Sequence, residues 1–140
     1  MENGDPPGTE ISFDQKDFSE GKRSLKISFN GKENVDFQHV YQYVALKPNT
    51  DYLLKAHVKT NGVTTQSGLR IEISGVGSGF HGQSESLTGD NAWREVVVPF
   101  RTLADSQGGL VRIRRESTNK FDRFISGVAW IDNVQLVESH

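Results

Sequence analysis

Apolar and polar residues alternate along this chain in short runs between Gly, Asn, Asp and Pro clusters, and a 3.6-residue stripe is hard to find anywhere. Strict alternation sends successive side chains to opposite faces of a strand, so each run buries one face and wets the other. Ser24–Phe29 alternates cleanly and runs into the turn Asn30-Gly31-Lys32-Glu33-Asn34. Phe37–Leu46 is a long strand candidate closed by Lys47-Pro48-Asn49-Thr50, and Tyr52–Lys59 alternates as far as Asn61-Gly62. Gly68–Ser74 puts Leu69, Ile71 and Ile73 on one face and Arg70 and Glu72 on the other. Trp93–Phe100, Leu110–Arg115, Val128–Val137 and the short Glu10–Phe13 bring the set to about eight strands, the spacing of an all-β antiparallel sandwich or barrel. Residues 74–91 hold five glycines and four serines and read as a flexible loop with a weak strand at Ser84–Leu87. Ser117–Ser126 reads as a polar loop carrying Phe121 and Phe124.

A length of 140 residues fits one domain, and a hydrophobic share of 34% is enough for one core. The expected division is a flexible segment, residues 1–9, ahead of a single module, residues 10–140, excised from a larger protein. Sixteen Lys and Arg against eighteen Asp and Glu give a net charge of −2, with no basic surplus to neutralise the phosphates of a nucleic acid. No apolar run approaches the ~18 residues of a membrane span, so membrane insertion is not expected. The opening Met1–Pro7 shows neither the basic start nor the apolar stretch of a signal peptide. The chain has no cysteine, which removes thiolate chemistry, disulfides and Cys-type zinc sites. The histidines, His39, His57, His81 and His140, lack a close His-x-x-x-His spacing, and there is no Gly-x-Ser-x-Gly elbow. Gly75, Gly77 and Gly79 sit in a Ser-rich loop rather than before a helix. The chain is not expected to be an enzyme.

Several short motifs occur in a fixed order: Gly21-Lys22-Arg23-Ser24-Leu25-Lys26-Ile27; Gln42, Val44 and Leu46 leading to Pro48 and Tyr52-Leu53-Leu54; Trp93 with Val96, Val98 and Phe100; and the closing Trp130-Ile131-Asp132-Asn133-Val134. In this order they resemble the galactose-binding-like jelly roll of carbohydrate-binding modules, especially the family 4, 9 and 22 group, over Gly21 to Glu138. Thr60-Asn61-Gly62 to Gly68-Leu69 and the Gly127–Asp132 ending also resemble modules appended to tetratricopeptide-repeat proteins of bacterial exopolysaccharide systems. The resemblance implies a jelly-roll sandwich and non-catalytic polysaccharide binding by an accessory module, extracellular, periplasmic or on the cell surface. The alternative is a structural or protein-interaction jelly roll with no sugar ligand. The resemblance also implies one structural calcium ion, held by Asp132 with loop carbonyls around Glu20 to Arg23. The Phe-Glu pair that usually opens the family is missing, since Asn3-Gly4 runs into Asp5-Pro6-Pro7. Calcium needs six to eight oxygens, and the competing role for Asp132 is an Asx-type cap at a strand bulge.

Parity locates the sugar site. With Val40, Gln42, Val44 and Leu46 inward, Phe37, His39, Tyr41 and Tyr43 point outward, with some slack at Phe37. Aromatic rings stack on the C–H faces of sugars, while hydroxyls and carboxylates need planar polar partners. The same parity turns His57 outward beside Lys55 and Lys59, Arg70 beside Glu72, and Arg112 beside Arg114. If these strands share a sheet, Tyr41, Tyr43, His39, His57, Arg70, Arg112 and Arg114 form one carbohydrate-binding face. The bland reading of that face is a solvated surface of cross-strand ion pairs. A second location is the loop end with Phe80, His81, Phe121 and Phe124. Trp93 is expected in the core.

Overall fold

The computed structural model describes residues 7–16, 24–65, 67–118 and 123–139, and the side chain of His39 lies outside the described set. The described residues form nine strands and no helix: β1 (Thr9–Asp14), β2 (Ser24–Asn30), β3 (Phe37–Ala45), β4 (Asp51–Val63), β5 (Arg70–Gly75), β6 (His81–Gln83), β7 (Gly89–Arg101), β8 (Gly108–Arg115) and β9 (Ser126–Glu138). All pair antiparallel, in a five-stranded sheet of order β1-β2-β9-β4-β7 and a four-stranded sheet of order β3-β8-β5-β6. The alternation explains why two sheets form: Tyr52, Leu54, Ala56 and Val58 of β4, Val96, Val98 and Phe100 of β7, and Ile71 and Ile73 of β5 are all buried between them. Phe100 stacks between Tyr52 and Phe80, with ring centroids 5.5 and 5.8 Å away.

The chain changes sheet at every connection except β1–β2 and β5–β6. The β3–β4 crossing is tied down by buried Thr102. Its hydroxyl donates to the Lys47 carbonyl at 2.6 Å and accepts the Thr50 N–H at 2.9 Å. Asn49 takes a positive φ of 51°, which Asn tolerates better than most residues. Next to this crossing Lys47 Nζ lies 2.8 Å from Glu138. The hydrogen bond to Glu138, and then its charge, hold the Lys47 pKa above the ordinary lysine value.

Several expectations need correction. Phe37 is fully buried, because a register shift between Phe37 and Val40 turns both residues inward. Residues 74–91 are not a free loop. β6 pairs with β5, Leu69 bridges Leu87, and the Gly75 N–H donates to the Phe80 carbonyl at 2.9 Å. Gly75 permits this fold-back, since a Cβ there would lie 2.3 Å from the Ser78 carbonyl. Phe80 is consequently core and cannot serve a loop-end site. Trp93 is half-buried and shares the outward parity of Glu95 on β7, so it is not a core residue. Gln42 has inward parity but is exposed, because the sheets open there into a cleft of about 230 Å³ lined by Val44, Leu54, Val111 and Leu136.

Candidate functional site

The outer face of the four-stranded sheet gathers five of the expected residues. Tyr41 and Tyr43 stand on β3, Arg112 and Arg114 on the adjacent β8, and Arg70 on β5 beyond it. Each owes its direction to an apolar neighbour of opposite parity: Val40 and Val44 on β3, Ile113 on β8, and Leu69, Ile71 and Ile73 on β5 face the core. Register then sets two rows across the sheet. One is Tyr41, Arg112, Glu72 and Gln83; the other is Tyr43, Leu110, Ser74 and His81.

Exposure falls toward the middle of these rows. Tyr41 is 42% exposed, Tyr43 54% and Glu72 7%, so the tyrosines and His81 rim a depression with Glu72 at its base. Glu72 Oε1 lies 3.7 Å from Arg112 Nε, and Oε2 lies 3.5 Å from His81 Nε2. A carboxylate this buried on an outward face is stabilised by the flanking guanidinium. Tyr43 lies over the backbone of Gly108, where a Cβ would come within 2.1 Å of the phenol oxygen. The missing side chain at Gly108 is what lets the ring lie on the strand. Arg114 is on the same face but engaged with Asp36 and with the carbonyls of Phe37 and Arg115, the latter at 2.9 Å.

His57 does not join them. β4 belongs to the five-stranded sheet, and His57 Nε2 lies 3.8 Å from Glu95 on its outer face, opposite Asp132 in the β9 register. The β3–β4 crossing is the reason, because parity fixes the face a residue points to but not the sheet it lies in. The His39 side chain, Phe121, His140 and the turn at residues 20–23 lie outside the described residues. Phe124 is exposed, with the Arg123 guanidinium 4.8 Å from its ring centroid.

Asp132 Oδ1 accepts the Asn133 N–H at 2.8 Å, beside the register shift in the β4–β9 pairing, and Asn133 has φ of 51°. This contact suits the capping role set against calcium for Asp132. Among the described residues no three His, Asp or Glu side chains are grouped to hold a metal, and the loop carbonyls around Glu20 to Arg23 that the resemblance implies for calcium lie outside the described residues. On the same outer face Trp130 is buried under Lys26 and Lys59, whose ammonium groups lie 5.9 and 5.0 Å from its ring centroid. Its indole N–H donates to Asp14 at 2.9 Å. That ring is covered and is no ligand platform.

Sequence reasoning also passed over Arg115. It is fully buried and donates to Asn34 Oδ1 at 2.7 Å, Thr65 Oγ1 at 3.2 Å, and the carbonyls of Val35, Ser67 and Arg123. The signal was present, since Arg115 shares the inward parity of Val111 and Ile113.

No family model matches the chain. It is 27% identical over 133 residues to the tRNA(Glu)-specific nuclease WapA of Bacillus subtilis subsp. natto (strain BEST195), and 25% identical over 133 residues to the tRNA nuclease WapA of Bacillus subtilis (strain 168). Each match covers 90% of this chain, which spans only 6% of the length of either relative. Among solved structures it is similar to the CBM22-1 xylan-binding domain from Paenibacillus barcinonensis Xyn10C, with a TM-score of 0.60, 11% identity, and coverage of 95% of this chain and 83% of that one. It is also similar to a cyclase from Fischerella sp. TAU, solved in complex with 4-(1H-indol-3-yl)butan-2-one, with a TM-score of 0.60, 18% identity, and coverage of 91% and 69%. The chain thus has an antiparallel jelly-roll fold, shared with both of these structures. Since a xylan-binding domain and a cyclase share that fold, the fold alone assigns no ligand.

Proposed function

We propose that this domain is a non-catalytic polysaccharide-binding module of a larger protein, working outside the cytoplasm, with the outer face of its four-stranded sheet as the platform. The observation that carries the reading is the exposed pair Tyr41 and Tyr43, in register with Arg112 and Leu110 above a depression based on Glu72. Rings held on a paired strand lose little freedom on binding, and the polar groups beside them suit hydroxyl recognition. The likeness to a xylan-binding domain supports the reading. The nuclease activity in the relatives' names belongs to chains of which this one spans 6%, and a net charge of −2 gives tRNA binding here no support.

One observation favours the rival, a structural or protein-interaction domain: Arg112 and Arg114 already face Glu72 and Asp36. Affinity electrophoresis through gels of neutral and acidic polysaccharides separates the two. Retardation is expected, weakened by Tyr41→Ala and Tyr43→Ala by about 1–3 kcal/mol each if sugar stacking resembles base stacking. Gly108→Ala, which displaces the Tyr43 ring without removing it, should weaken binding in the same direction. A folded protein that no polysaccharide retards would favour the rival.

A further inference from the structure

We propose that the glycan taken by this face is acidic, a polyuronate, with its carboxylate received by Arg70; the inference rests on the platform reading above. Arg70 lies directly opposite Arg114 in the β5–β8 register, with Arg112 two residues along β8. Like charges directly opposite across strands are destabilising, so a pair of this kind needs a counter-charge. Arg112 faces Glu72 and Arg114 faces Asp36. Arg70 has no such counterpart: among the described residues its guanidinium makes no hydrogen bond or ion pair, although the residue is only partly exposed. It points outward because Leu69 and Ile71 on either side are core. A guanidinium is a rigid planar fork that pairs bidentately with a carboxylate, whereas neutral hydroxyls satisfy it without neutralising its charge. Tyr41 is two strands across and two residues along from Arg70, roughly 12 Å at ordinary strand spacings. One chain of several sugars therefore spans a stacked ring and a carboxylate held by Arg70.

The test is affinity electrophoresis of the whole chain in polygalacturonate, in its methyl-esterified form, in neutral xylan and in dextran sulfate. Polygalacturonate is expected to bind about tenfold or more tightly than its ester. Arg70→Gln should erase that preference while leaving retardation by the ester or xylan in place, and Arg70→Lys should recover only part of it. Arg70→Gln also relieves the repulsion from Arg114, so its melting temperature should not fall. Equal retardation by polygalacturonate and its ester, an unchanged Arg70→Gln, or equal retardation by dextran sulfate each overturns the acidic ligand and leaves sugar binding standing. Failure of every glycan to retard the folded protein overturns the platform itself.

Discussion

Arg114 and Arg115 are neighbours in sequence with opposite surroundings. Arg114 points outward and is held by Asp36, which is largely in solvent, so truncating it releases groups that water can satisfy. Arg115 points inward and ties together three segments, around Asn34, around Thr65 to Ser67, and at Arg123. Removing it strands several buried acceptors at once. Arg115→Met should therefore cost about 3 kcal/mol or more, and Arg114→Met less than about 1 kcal/mol. Urea unfolding with an unchanged slope would measure both. A loss below about 1 kcal/mol for Arg115→Met would show that the network is dispensable.

At the level of the strand, β9 carries its bulge where the chain must pass from pairing His57 to pairing Lys55, and Asp132 accepts the Asn133 N–H beside it. Asn keeps an acceptor oxygen and Ala does not. Asp132→Asn should be within ~0.5 kcal/mol of the parent and Asp132→Ala about 1 kcal/mol less stable, in calcium or in EDTA alike. A calcium-dependent rise in melting temperature that Asp132→Asn abolishes would instead give the carboxylate a metal to hold. Elements of this kind show where the sequence was readable. Arg70 and Arg112 could be placed on an outer face because each sits between apolar residues of opposite parity, and Tyr41 and Tyr43 because each has one such apolar neighbour, Val40 and Val44. His57 was wrongly joined to them, since β4 alternates in the same way in either sheet. Phe37 was misplaced because a bulge breaks period two without any Gly or Pro to mark it. Phe80 was hidden by the glycines around it, which signal freedom in sequence but serve close backbone approach in the fold. Arg115 was missed because an arginine at a strand end is ordinarily solvated.

For the whole molecule, the repeated change of sheet means that few strands pair with a sequence neighbour. β9, the last strand, pairs with β2 on one side and with β4 on the other, so the five-stranded sheet is joined through the last strand of the chain. β3 likewise waits for β8. Among the described strands only the β1–β2 and β5–β6 pairings join sequence neighbours, and a three-residue strand such as β6 has little stability of its own. The loop-closure entropy of the long pairings must be overcome before their contacts form, which slows folding and leaves partial structures unsupported. Refolding from urea should accordingly run in milliseconds to seconds, and equilibrium unfolding should be one transition seen alike by tryptophan fluorescence and far-ultraviolet circular dichroism. Ile131→Ala, which opens a cavity on the inner face of β9, should cost about 2–5 kcal/mol and lower that single midpoint without splitting it. Two separated transitions, or a main refolding phase in microseconds, would mean that one sheet stands without the strand that closes it.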